Sequence, residues 1–137
     1  MKPIIATLTL LFSFILSSQI DGTPKTLDTS LYCTLQLVKL ECIVTEGYAT
    51  ADAIYFKING EEWPKKRLRM NAGNVRDLEG YVEVEFEESI KIELWDDDTF
   101  DPDDHLGSNT ISCSLDWNGV VRFTEDGANY KLYYRVK

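Results

Sequence analysis

Nine positions hold six carboxylates in the run Trp95-Asp96-Asp97-Asp98-Thr99-Phe100-Asp101-Pro102-Asp103-Asp104-His105-Leu106-Gly107. Like charges at this density repel, and a folded chain tolerates them where a cation neutralises them. Hard carboxylate oxygens on a short loop suit Ca²⁺, which takes about six to eight oxygens at about 2.3–2.6 Å. A second acidic pair, Glu46 and Asp52, brackets the segment Glu46-Gly47-Tyr48-Ala49-Thr50-Ala51-Asp52. Other metal motifs fit poorly. With Asp96 opening an EF-hand loop, the sixth position is Asp101 instead of Gly and the twelfth is Gly107 instead of Glu. His105 is the only histidine, and the acids have no Cys partner at zinc-finger spacing.

Catalytic chemistry finds little support. A Ser-His-Asp device needs a placed His, and His105 sits inside the acidic run. No Gly-rich phosphate loop or nucleotide fingerprint is present. A glycosidase pair needs one carboxyl held protonated beside a sugar cleft, whereas bound Ca²⁺ keeps its acids ionised. The expectation is a binding module and not an enzyme.

The segments that must position these acids read as strands. Leu40, Cys42 and Val44 alternate with Glu41, Ile43 and Thr45, and Ala53 to Ile58 is stopped by the turn signal Asn59-Gly60. Glu61 to Met70 has Trp63 and Leu68 as apolar anchors, and Pro64 assigns it to a sheet edge. Asn71 to Asn74 is a turn. Val82, Val84 and Phe86 alternate with acids, and Ile90, Ile92 and Leu94 alternate with Lys91, Glu93 and Trp95. A tight turn near Glu88 predicts that these two runs form a hairpin. Ile111, Cys113 and Leu115, then Val120 to Phe123, then Tyr130, Leu132, Tyr134 and Val136 complete about eight short strands with turns at sandwich spacing. The fold class is all-β, an antiparallel eight-stranded sandwich over residues 31–137. Loops that cluster at one end of a sandwich would converge Glu46, Asp52, Asp96, Asp98 and Asp104 on one point, and a cation there would staple two distant segments.

On these residues the chain resembles the C2 domains, Ca²⁺-dependent phospholipid-binding β-sandwiches. Their first Ca²⁺ loop places an acid six residues before the Asp that opens the next strand, as Glu46 and Asp52 stand here. Their third loop carries Asp-x-Asp at a strand end, an Asp eight residues after the first and a Gly three further on. Asp96, Asp98, Asp104 and Gly107 match in order and spacing. The resemblance covers roughly Leu35 to Ser114. It implies that Glu46, Asp52, Asp96, Asp98 and Asp104 are Ca²⁺ ligands, with Asp52 and Asp98 bridging. It also implies that Tyr48 and Phe100, at the loop tips, enter a phospholipid headgroup region once Ca²⁺ is bound. The alternative is an extracellular protein-interaction or structural domain in which Ca²⁺ only stabilises the loops. The chain departs from the pattern where Glu46 replaces the usual Asp. It departs again at Ala53-Ile54, where many members have Pro and an aromatic.

Residues 1–19 read as a secretory signal peptide: Lys2, then an apolar run from Ile4 to Leu16, then Ser17-Ser18-Gln19. Residues 20–30 read as a linker. A secreted, extracellular monomer with no transmembrane segment in its mature chain is expected. The net charge is −9, and a surface of that sign repels nucleic acid. The basic cluster Lys65, Lys66, Arg67 and Arg69 reads as a guarded edge strand, the alternative being a contact with phosphoinositide-type headgroups, glycans or an acidic protein. An oxidising compartment favours one disulfide among Cys33, Cys42 and Cys113. If Cys33 and Cys42 share one strand they stand about 30 Å apart and cannot pair. Either can then reach Cys113, and three free thiols stay open.

Overall fold

The computed structural model describes residues 32–47, 50–114 and 117–137. The leader, the linker, Tyr48 and Leu115 lie outside the described residues. Nine strands follow in order: β1 (Cys33–Val44), β2 (Asp52–Ile58), β3 (Glu61–Met70), β4 (Val75–Asp77), β5 (Glu83–Phe86), β6 (Ser89–Asp96), β7 (Asp104–Ser112), β8 (Trp117–Phe123) and β9 (Asn129–Val136). One sheet runs β4-β1-β9-β8, with β5 also paired to β1, and the other runs β3-β2-β6-β7. All pairings are antiparallel. The result is an antiparallel β-sandwich.

Two expectations need correction. The ninth strand, β4, has all three residues exposed, so it shows no alternation that a sequence pattern would reveal. The expected hairpin around Glu88 does not form. β5 pairs with β1 in one sheet, whereas β6 pairs with β2 and β7 in the other. Alternation tells which side of a strand is buried but not which sheet it joins.

The core lies between the two inner faces. Leu35, Leu37, Leu40 and Cys42 face inward from β1, and Ile54, Phe56 and Ile58 from β2. Ile90, Ile92 and Leu94 of β6 face Tyr130, Leu132 and Val136 of β9. Leu37 and Leu40 are three apart, and both point inward because a bulge between Leu37 and Lys39 absorbs one residue. A larger irregularity lies in β3, where Phe56 faces Trp63 and Ile54 faces Leu68. Pro64 falls in this interruption on an edge strand, where its missing N–H breaks no ladder bond. The Asn59-Gly60 turn behaves as its sequence implies: both residues have positive φ, 48° and 87°.

Cys33 and Cys113 form the disulfide, and Cys42 is a buried free thiol. The bond ties the start of β1 in one sheet to the residue just beyond β7 in the other.

Candidate metal centre

Three connections meet at one end of the sandwich: β1–β2, β6–β7 and β8–β9. Antiparallel ladders set the acids there. Asp52 opens β2, Asp96 closes β6 and Asp104 opens β7. Asp96 lies opposite Ile54 on one side and opposite Asp104 on the other. The N–H of Asp97 donates to the Ala53 carbonyl at 3.0 Å, which fixes the first turn of the acidic loop against β2.

The period of an extended chain then sorts five of the six loop carboxylates. Asp96, Asp98 and Asp104 turn to one side and Asp97 and Asp103 to the other. Asp97 accepts a bond from Arg67 Nε at 2.5 Å, and Asp103 accepts the Tyr55 hydroxyl at 2.6 Å. The Arg67 guanidinium lies 3.7 Å from the centre of the Tyr55 ring, which stacks on Trp95. Arg67 of the basic cluster therefore clamps the outer side of the loop to β3. His105, the first residue after the acids, tilts against Trp95 and meets Glu125 at 2.9 Å.

On the inner side, single oxygens of Glu46, Asp52 and Asp96 lie within 4.8 Å of one another, and so do those of Glu46, Asp104 and Asp126. Ligand oxygens around one Ca²⁺ at about 2.4 Å can be no farther apart than about 4.8 Å. Both triads meet that limit, and Glu46 belongs to both. Asp98 is in neither triad but stands within hydrogen-bonding distance of Asp104, and its charge acts on Glu46, Asp52 and Asp96. The structure therefore brings all five acids read from the sequence to one place.

Asp52 and Asp96 are 2% and 5% exposed. Asp52 Oδ2 accepts the Glu46 N–H at 3.1 Å and the hydroxyl of buried Tyr130. Asp96 Oδ1 accepts the Ala53 N–H. Each bond aims a carboxylate while leaving lone pairs for a further ligand. Gly107 has φ 136°, and a Cβ there would lie 3.2 Å from the Phe123 backbone. The glycine lets β7 bend past β8 just after Asp104, which accounts physically for a Gly three residues beyond the last acid.

Charge crowding is visible in the proton affinities. Burial, opposed by the Ala53 N–H and reinforced by Asp52, Asp98 and Glu46, pushes Asp96 up to about 7. Burial likewise raises Asp52, Glu46 and Asp104, with neighbouring carboxylates adding to each. A raised carboxyl means that the native state binds its proton more tightly than the unfolded chain, where Asp titrates near about 3.9. Its stabilising contribution is whole below that value and is lost as pH rises through about 7. The metal-free protein should therefore lose stability between pH 5 and pH 8, and Asp96→Asn should shrink that loss. Thermal melts in chelator at both pH values check this. An undiminished pH difference in the variant contradicts it.

Asp126, in the β8–β9 turn, is the residue that sequence reasoning missed. Glu125-Asp126-Gly127 reads only as a turn until β9 is known to pair antiparallel with β1, which brings its leading turn to the end where β1 finishes. Asp126→Asn should weaken Ca²⁺ binding by about three- to tenfold at low ionic strength, as removal of one exposed carboxylate does. Asp101→Asn, an exposed change in the same region of charge, should leave it nearly unaltered. Parallel titrations of the two variants decide the point, and equal affinities would remove Asp126 from the site.

No protein-family model matches the chain, and no curated protein matches it in sequence. Solved structures do match. A calcium-bound structure of the two tandem C2 domains of extended synaptotagmin 2 superposes with a TM-score of 0.56 at 17% identity, over 79% of this chain and 45% of that one. Another structure of the same two domains gives 0.51 at 16% identity, over 97% and 48%. A single C2 domain gives 0.52 at 14% identity, over 77% and 97%. The chain thus spans about half the length of the extended synaptotagmin structures and nearly all of the single domain. The fold is C2-like.

Proposed function

We propose that this chain is a secreted, non-catalytic Ca²⁺-binding C2-like module that docks on phospholipid surfaces through its loaded loops. One observation carries the reading. Glu46, Asp52, Asp96, Asp104 and Asp126, from three separate connections, present oxygens at ligand spacing at one end of the sandwich. The match to a calcium-bound C2 structure supports the choice of metal. Glu46, Asp52, Asp96, Asp104 and Asp126 would hold the Ca²⁺, which would offset the charge that otherwise keeps anionic lipid away and would supply a Lewis-acidic contact for lipid phosphate oxygens. Phe100 stands between Asp98 and Asp104 and is 96% exposed, so it is free to add apolar burial on contact with a bilayer. Among the described residues no helix is long and apolar enough to cross a membrane.

The supporting experiment is sedimentation with phosphatidylserine-containing vesicles. Wild type should pellet in millimolar Ca²⁺ and stay in solution with chelator. Phe100→Asp should lose about tenfold in apparent vesicle affinity and keep its Ca²⁺ affinity, since burial of a Phe side chain is worth about 1.5–3 kcal/mol. Ca²⁺-dependent stabilisation with no vesicle binding would replace the lipid reading by a structural role for the ion. Extracellular sites of this kind have affinities of about 10⁻⁴–10⁻³ M. At millimolar Ca²⁺ such a site is filled continuously, and the ion then acts as a constant part of the docking surface.

A further inference from the structure

The two sheets part along the β3 edge and leave a cavity of about 280 Å³, well away in sequence from the acidic loops. Phe56, Trp63 and Leu68 line it from one sheet, and Leu78, Tyr81 and Val82 from the segment between β4 and β5. Phe56, Leu78 and Val82 are buried, whereas Tyr81 is 71% exposed. Arg76 and Asp77 form the polar part of the wall.

We propose that this cavity binds the alkyl chain of a free, single-chain anionic amphiphile of the fatty-acid class, with Arg76 holding the carboxylate. The walls supply the apolar half of the argument. The volume lies at the low end of small-molecule sites, about 300–1,000 Å³, which suits one chain end and is too small for a two-chain lipid.

Charge supplies the other half. Among the described residues Arg76 bonds only the Arg69 carbonyl, at 3.2 Å, which leaves most of its N–H donors uncommitted there. Lys65, Lys66 and Arg69 belong to the same β3 edge. Among the described residues none of these four cations makes an ion pair. Asp77 turns one oxygen to the Glu79 N–H at 2.9 Å. Asp77 on the wall and Glu61 and Glu62 on β3 stand among these cations, so Arg76, the one cation that lines the cavity itself, is the group that would meet an anion there. The site is independent of the Ca²⁺ centre and is tested without the metal.

The test is a titration of the full chain with laurate, below its micelle concentration and in chelator, read by calorimetry and tryptophan fluorescence. One saturable site is expected, with a fluorescence change that disappears in Trp63→Phe. Arg76→Gln should weaken laurate by about tenfold, the loss of one charge-assisted pair, and leave dodecanol binding unchanged. Leu68→Trp should block both ligands. Tyr81→Ser, an exposed change that leaves the core intact, should weaken both if Leu68→Trp fails to fold. Absence of saturable binding would overturn the proposal. So would equal affinity for laurate and dodecyltrimethylammonium. A Trp63 response to diacyl vesicles as strong as that to laurate would also overturn it, by making the ligand a membrane surface.

Discussion

Asp96→Asn should raise the melting temperature of the Ca²⁺-free protein at pH 8 and abolish the further rise that Ca²⁺ gives the wild type. Asp96 is buried, and Asp52, Asp98 and Glu46 all disfavour its charge. At pH 8 the wild type must nevertheless hold it mostly ionised. Asparagine keeps an Oδ1 that accepts the Ala53 N–H while removing the charge. Relief of a burial-and-repulsion penalty of this kind is worth about 1–3 kcal/mol, at about 4–8 °C per kcal/mol for a domain near 100 residues. In the wild type, Ca²⁺ at a hundredfold excess over its dissociation constant adds about 2.7 kcal/mol. The two effects have opposite consequences for the same residue: harmful without the ion, required with it. An ordinary structural substitution would lower both melting temperatures. Melting in chelator and in Ca²⁺ separates these cases. A variant that melts lower in chelator, or that keeps the Ca²⁺ response, contradicts the assignment.

The second large effect concerns the far end of the sandwich. Removing the disulfide with Cys33→Ala and Cys113→Ala should cost about 4–5 kcal/mol, the chain-entropy value for a closed loop of this size. The cross-link spans 80 residues, from the start of β1 to the end of β7. Domains of this kind have only about 5–15 kcal/mol in total, so the double variant should sit near the edge of folding at 37 °C. The acidic centre lies at the opposite ends of the same strands, at the finish of β1 and the start of β7. Ca²⁺ should therefore still bind the folded fraction and restore part of the loss. Urea unfolding with and without Ca²⁺ measures both. A midpoint unchanged by the double substitution would show that packing alone holds the two sheets together.

Much of this was legible in the sequence because the alternating runs marked the strands and the resemblance to C2 domains singled out Asp96, Asp98 and Asp104 beside the pair Glu46 and Asp52. That Asp97 turns to the other side was not read from the sequence. The partner of Asp97 was less legible. Arg67 belongs to a basic run that reads as solvated, and only the pairing of β3 with β2 brings it to the acidic loop. The cysteines show where periodicity misleads. Cys33 and Cys42 are nine apart and would face opposite sides of a regular strand, yet the bulge after Leu37 turns both inward. Their separation along one strand correctly forbids a bond between them, but nothing local decides which one meets Cys113. Sheet membership was also hidden. β5 and β6 each alternate cleanly on either side of a two-residue break, and the choice between hairpin and crossover rests on β1 and β2, which lie far off in sequence.

Whether the acidic end holds Ca²⁺ is decided by a calorimetric titration of the protein beside an Asp96→Asn/Asp98→Asn double variant, with Mg²⁺ as control. Saturable Ca²⁺ binding by the wild type is expected, with little response to Mg²⁺ and loss of the Ca²⁺ heat in a variant that remains folded. Absence of Ca²⁺ binding by the wild type, or undiminished binding by the folded variant, would contradict the assignment of these acids as a Ca²⁺ site.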